Sequence, residues 1–269
     1  MTLGVRDGRT YIPRQYHRGA LTLLRPLYLS DDDEATVTII NPGGGYLGGD
    51  VYDIDIELAA GGAAIITTQS ATRIYRTPRE PATQNTHLRV EEGACLTYRP
   101  DELIAYADAR YRQHTRAVVH PGATLIAEDV ITPGWSPDGQ LFRYERLHTT
   151  LDVVDPEGRL LVRDNLLLEP GAFGITTEPG VLGPGATHVG SLLVVSPHAG
   201  PQAVQEVREV VAAAARGGTQ VGVSSLPVPG FFVRVLGDNT GTMGRVIDAV
   251  IDHLREQWFE RPPLVHRKY

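Results

Sequence analysis

"ELAAGGAAIITT", residues 57–68, sets a glycine-alanine pair, Gly62-Ala63, between two apolar, β-prone runs. The arrangement returns after about thirty residues, a spacing typical of stacked repeats. "LRVEEGACLTYRP" (88–100) carries it at Gly93-Ala94, and "AVVHPGATLIAED" (117–129) at Gly122-Ala123. "VLGPGATHVGSLLVV" (181–195) offers a fourth copy at Gly185-Ala186. Each copy reads as a strand, a tight turn whose glycine is free to take positive φ, and a second strand. Such a series predicts a mainly β protein of stacked β-hairpin units, helicoid or solenoid-like, each unit burying its apolar face on the next. A sandwich with three similar hairpins is the plainer alternative.

Just before the first copy, Val51, Asp53, Asp55 and Glu57 alternate with Tyr52, Ile54, Ile56 and Leu58. This is the period of a strand with one buried face, and it turns the acids outward. Ahead of it lies "NPGGGYLGGD" (41–50), whose Gly43, Gly45 and Gly48 fit the dinucleotide fingerprint G-x-G-x-x-G. That fingerprint must open a helix whose amides hold the pyrophosphate. Here the glycines open a strand, and no G-K-[S/T] follows. A nucleotide site is excluded on context.

After the third copy the β pattern continues through "LFRYERLHTTLDVVD", a "PEG" turn and "RLLVRDNLLLEP". Two helices are predicted, both in the C-terminal third. "PQAVQEVREVVAAAARGG" begins at Pro201, ends at Gly217-Gly218, and lines up Ala203, Val204, Val207, Val210, Val211 and Ala214. "TMGRVIDAVIDHLREQW" follows "GDNTG" and stripes Met243, Val246, Ile247, Val250, Ile251, Leu254 and Trp258 before "RPP" stops it. Between them "TQVGVSSL" and "FFVRVLGD" read as a strand pair. The expectation is one domain over 1–269, all-β to about residue 200 and mixed α/β over 201–269.

The 269 residues suffice for a large core without staples, and 29 glycines with 19 prolines favour a fold of many turns. A net charge of −7 with no basic stripe argues against general nucleic-acid binding. The single cysteine, Cys95, excludes an internal disulfide framework and points to a reducing compartment. The first twenty residues lack the apolar segment of a signal peptide, and no run reaches membrane-spanning length. A cytoplasmic chain with no membrane partner is expected.

Chemistry is sparse. His17, His87, His114, His120, His148, His188, His198, His253 and His266 show neither H-x-H nor H-E-x-x-H spacing. Cys95 sits in "GACLTY" as a small strand hydrophobe, and Ser224-Ser225 lacks the G-x-S-x-G setting of a hydrolase serine. Asp50 closes the glycine loop. Asp129 in "LIAEDVI" and Asp164 in "LLVRDNLLLEP" are flanked by apolar residues, where a carboxylate is costly unless paired, hydrated, protonated or metal-bound. These two acids line a polar interior passage or form an acid pair; the sequence leaves both open. In "TTQSATRIYRTP" (67–78) small hydroxyl residues lead to Arg73, Tyr75 and Arg76, types common at interface hot spots.

Two of these segments together resemble the urease accessory protein UreD family, called UreH in some lineages. Its N-P-x-G-G-x-x-G-G-D pattern is matched by Asn41, Pro42, Gly44, Gly45, Gly48, Gly49 and Asp50. Its T-T-x-x-[AS]-[ST]-[KR]-x-Y-R pattern is matched by Thr67, Thr68, Ala71, Thr72, Arg73, Tyr75 and Arg76, and Pro100, Glu102, Ile104 and Gln113 follow in order. Asp164 stands where the family pattern has glutamate, one methylene shorter in reach. The resemblance implies a β-rich protein that is not an enzyme and carries no tightly bound cofactor. It implies binding to apo-urease and to UreF, with UreG reached through UreF, and nickel in transit through internal tunnels. On that reading Asp50, Thr72, Asp129 and Asp164 line the passage, with Arg73, Tyr75 and Arg76 at a partner surface; the metal ligands are unspecified. Two rival readings remain: a β-solenoid carbohydrate enzyme using Asp129 and Asp164 as acid and base, and a purely structural interaction module.

Overall fold

The computed structural model describes residues 1–29, 33–173, 182 and 185–264. The chain enters through an antiparallel pair, β1 (Thr2–Arg6) and β2 (Arg9–Arg14), then β3 (Thr22–Leu23) and β4 (Ala35–Ile40). Three coils follow. The first is β5 (Val51–Leu58), β6 (Ala63–Thr68) and β7 (Thr72–Ile74); the second is β8 (Ala82–Val90), β9 (Cys95–Arg99) and β10 (Leu103–Ala105). The third is β11 (Arg110–Val119) and β12 (Thr124–Ile131). A hairpin, β13 (Arg146–Val154) and β14 (Leu160–Leu168), leads to β15 (His188–Val195), α1 (Pro201–Ala214), the hairpin β16 (Gln220–Ser225) and β17 (Gly230–Gly237), and α2 (Thr240–Phe259).

The two strands of each repeat do not pair with each other. β5, β8 and β11 run parallel in one sheet, while β6, β9 and β12 run parallel in a second that faces it. The short β7 and β10 form a third parallel edge. The repeats are therefore coils of a β-solenoid, and the parallel ladders decide against a sandwich of hairpins. The turn glycines with positive φ are Gly61 (68°), Gly93 (66°) and Gly122 (75°). In the first copy the equivalent of Gly93-Ala94 is thus Gly61-Gly62, one residue earlier than the sequence alignment of repeats placed it. The fourth copy is corrected too. Much of its first half lies outside the described residues, and its second half, β15, pairs antiparallel with β12 instead of stacking as a coil.

In-register stacking builds the core. Leu58, Val90 and Val119 stand side by side, as do Ile56, Leu88, Ala117 and Val153, facing Leu96, Leu125 and Leu193 of the second sheet. The outer face of the second sheet is covered by α1 and α2. Val204, Val207, Val246, Ile247 and Val250 pack there on Ile126, Leu192 and Val194. α2 starts at Thr240, inside "GDNTG", because Asn239 caps it by accepting the Thr242 amide at 2.9 Å. No described helix is long and apolar enough to cross a membrane.

Candidate functional site

The glycine loop 41–50 is shaped by its neighbour. A Cβ on Gly45 would lie 2.6 Å from Tyr75 Cε2 and 2.8 Å from the Arg73 carbonyl; one on Gly48 would lie 2.9 Å from the Glu80 carbonyl. The loop lies flush on the 73–80 segment because these glycines lack side chains. Gly48→Ala is therefore expected to cost about 1–3 kcal/mol, since the obstructing atoms are backbone. A thermal melt checks it by a Tm several degrees lower.

Seated this way, the loop fixes Asp50. Its Oδ2 accepts the Leu47 amide at 2.8 Å and the Tyr52 hydroxyl at 3.1 Å. Tyr52 stacks on Tyr46 with ring centroids 3.7 Å apart, and the Tyr46 hydroxyl donates to Gln84 Oε1 at 2.7 Å. Gln84 in turn donates to Thr86 at 3.2 Å.

These contacts begin a polar band. In the first sheet the inward positions are apolar toward the strand ends, at Leu58, Val90 and Val119, but polar further back. Tyr52, Gln84, Gln113 and Thr149 share one row, and Ile54, Thr86 and Thr115 the next. Gln84, Thr86, Thr115 and Thr149 are buried. The band divides the main core from a second apolar cluster built on Ile74, Leu103, Tyr111, Leu147 and Val189. Buried polar rows of this kind need partners, and here they surround space.

A cavity of about 50 Å³ is bordered by Thr72, Gln84, Tyr98, Gln113 and Asp129. A second of about 30 Å³ shares Tyr98, Gln113 and Asp129 and adds Thr149, Asp164 and Ser191. Toward the other end, Leu21, Ile39, Gly45 and Ile54 border both the first cavity and an open groove that reaches Asp50 and Tyr52. Asp50, Thr72, Asp129 and Asp164 thus line successive spaces from the open groove inward. Each cavity has room for a few water-sized particles.

Asp129 is the electrostatic centre. It accepts a hydrogen bond from Gln113 Nε2 at 3.3 Å. Burial first, and then the nearby Asp164 and Glu128 carboxylates, push its carboxyl up to about 7; Arg234 and the Gln113 bond pull the other way. Part of Asp129 remains accessible, but it lines the two cavities. Asp164 is bound at 2.7 Å by Arg234 Nη2, whose Nη1 donates to Ser191 Oγ at 2.6 Å. Burial raises Tyr52 and Tyr98 to about 12, so both stay neutral hydroxyls.

Other expected residues lie apart from this interior. Arg73 and Arg76 are exposed, and Arg76 meets the exposed Asp108 at 3.4 Å. Tyr75 packs edge-on to Tyr106 at 5.0 Å, and Tyr106 meets Trp135 at 4.7 Å, an aromatic row on the third edge of the solenoid. Asp53 and Asp55 point outward on the first sheet, as their alternation requires. Cys95 is buried, and burial pushes its thiol up to about 12, so it is a packing residue and not a nucleophile. Among the described residues no three His, Cys, Asp or Glu side chains form a metal cage.

Tyr46, Tyr52, Gln84, Thr86, Thr149, Ser191 and Arg234 were not read as functional from sequence. A signal existed in "ATQNTHLRV", where Gln84 and Thr86 occupy the same face as Leu88 and Val90. Only the register between coils shows that such positions stack.

A family model described as UreD urease accessory protein matches residues 1–268. The chain is 43% identical to the urease accessory protein UreD of Arthrobacter sp. (strain FB24), over 100% of this chain and 92% of that protein. It is 40% identical to UreD of Corynebacterium glutamicum (strain ATCC 13032), with 98% and 93% covered. UreD of Actinomyces naeslundii is likewise 40% identical, with 98% and 95% covered.

Proposed function

We propose a function on one premise: this chain belongs to the UreD family of urease accessory proteins. Within urease maturation it is a scaffold and not an enzyme. It binds apo-urease and a UreF–UreG complex, with UreG attached through UreF, and offers nickel a passage toward the urease active site. The observation that supports this reading is the succession of spaces, neighbours through shared lining residues, along Asp50, Thr72, Asp129 and Asp164. Carboxylates, hydroxyls and amide oxygens hold a divalent ion more loosely than thiolate or imidazole cages do, which suits cargo that must leave again. Nickel is then a passenger, and no cofactor resides in the chain. With a carboxyl poised near 7, Asp129 gives up its proton to an arriving cation at little cost.

Arg73, Tyr75 and Arg76 offer charged and aromatic contacts to a partner at the loop edge. The chain acts as one unit in a reducing cytoplasm, without nucleic acid or membrane, in keeping with its acidic charge and its lone buried cysteine. A carbohydrate enzyme using Asp129 and Asp164 fits poorly. Asp164 is tied to Arg234, and the cavity between the two acids, about 30 Å³, is too small for a sugar ring.

The test is co-expression of this chain with UreF, UreG and urease, followed by affinity purification and nickel-dependent activation of urease. Co-purification, with activation lost when this chain is omitted, is the expected result. A chain that elutes alone while urease activates without it would refute the role.

A further inference from the structure

We propose that Arg234 is a gate at the Asp164 side of the passage, a cationic side chain that must release Asp164 before a metal ion can move on from Asp129 to that carboxylate. This rests on the passage reading above and adds its regulation. Arg234 lies on β17 in the second sheet and Asp164 on β14, the terminal strand of the first, so their contact bridges the two sheets. The guanidinium is held at three points: Asp164 Oδ1 at 2.7 Å, Ser191 Oγ at 2.6 Å, and the face of Phe232, whose ring centroid is 4.7 Å from Cζ. All three partners border the inner cavity.

The pair is not sealed in the core. The Arg234 side chain is 30% exposed and that of Asp164 24%, so the contact is partly open to solvent. A fixed positive charge at that point has two consequences. It repels a divalent cation approaching from Asp129, and it occupies the carboxylate that the cation would use next. A guanidinium cannot be neutralised by losing a proton, so this barrier does not lift with pH. It lifts by a rotation about the side-chain bonds, which exposed arginines make readily. The pair is partly exposed, and a partner acid docking beside it would draw Arg234 off Asp164.

The experiment uses the complex of this chain with its maturation partners and nickel supplied at limiting concentration, with zinc as competitor. Arg234→Met keeps the length and removes the charge; Ser191→Ala removes one tether and keeps the charge. Asp129→Asn reports on the passage itself. The gate predicts urease activation several-fold faster than wild type with Arg234→Met, faster to a lesser degree with Ser191→Ala, and more zinc entry in both. Arg234→Lys, which retains the charge, stays close to wild type. If Arg234→Met and Ser191→Ala match the wild-type rate and metal selectivity while Asp129→Asn is slow, the gate is wrong and the passage stands. If Asp129→Asn also matches wild type, the passage fails and the gate with it. Should Arg234→Met not assemble, Ser191→Ala alone decides by the same outcomes.

Discussion

Asp129→Asn is expected to make this protein more stable at pH 8 and to leave it nearly unchanged at pH 4. The unfolded chain releases the Asp129 proton near 3.8, whereas the folded chain keeps it until about 7. Between those values the native state binds the extra proton, so the group's contribution is fully present below pH 4 and is lost as pH rises through 7. A gap of about three pKa units corresponds to at most about 4 kcal/mol at pH 8. Asparagine keeps the shape, and its amide does not ionise, so the variant lacks this slope. Urea denaturation of both proteins at the two pH values checks it, since other titrating groups cancel in the difference. Equal stabilities at pH 8 would mean that the carboxyl is solvated and not raised. The cost carried by the native protein is what a group retained for function, and not for stability, is expected to show.

The second large effect lies at the far end of the chain. Arg255, near the end of α2, reaches Glu34 with Nη1 at 2.7 Å from Oε2, and both side chains are 5% exposed. Arg255 Nε also donates to the Pro262 carbonyl at 2.9 Å, while Arg261 meets Asp33 at 2.6 Å and Glu34 at 3.5 Å. The helix is thereby pinned to the start of β4, 221 positions away. Removing one partner of a buried pair strands the other charge, so Arg255→Met is expected to cost about 3–5 kcal/mol. Adding Glu34→Gln to it should recover most of that loss, because no buried carboxylate is then left short of its closest cation. Equilibrium denaturation of the single and double variants measures both. A single variant within 1 kcal/mol of wild type, the size of a surface pair, would show the contact to be solvent-screened.

Much of this architecture is legible in residue order. The repeat of glycine turns, the alternation in "DVYDIDIEL" and the two amphipathic helices all come from local periodicity, and each element is present. What local periodicity does not carry is which strands pair. A glycine-centred turn reads alike whether its flanking strands form a hairpin or part into facing sheets, so the solenoid coil was visible only as a stacked unit. β7 and β10, three residues each, are too short to show a period. Asp129 and Asp164 stood out because acids amid apolar residues are expensive. Arg234 did not, because "FFVRVLGD" places it at an ordinary alternating position and its carboxylate partner is 70 residues away. The fold was therefore readable from spacing, while the buried polar rows and the cavities beside them depend on register between coils.

The central claim is that a nickel ion travels through the interior past Asp129. The most direct measurement is the rate of nickel-dependent urease activation by the assembled complex carrying Asp129→Asn, with co-purification of all partners recorded on the same sample. Loss of one oxygen charge from the path predicts roughly tenfold slower activation, the factor given by about 1.4 kcal/mol at the barrier, with assembly unchanged. Activation at the wild-type rate in an intact complex would contradict the passage and leave a structural scaffold in its place.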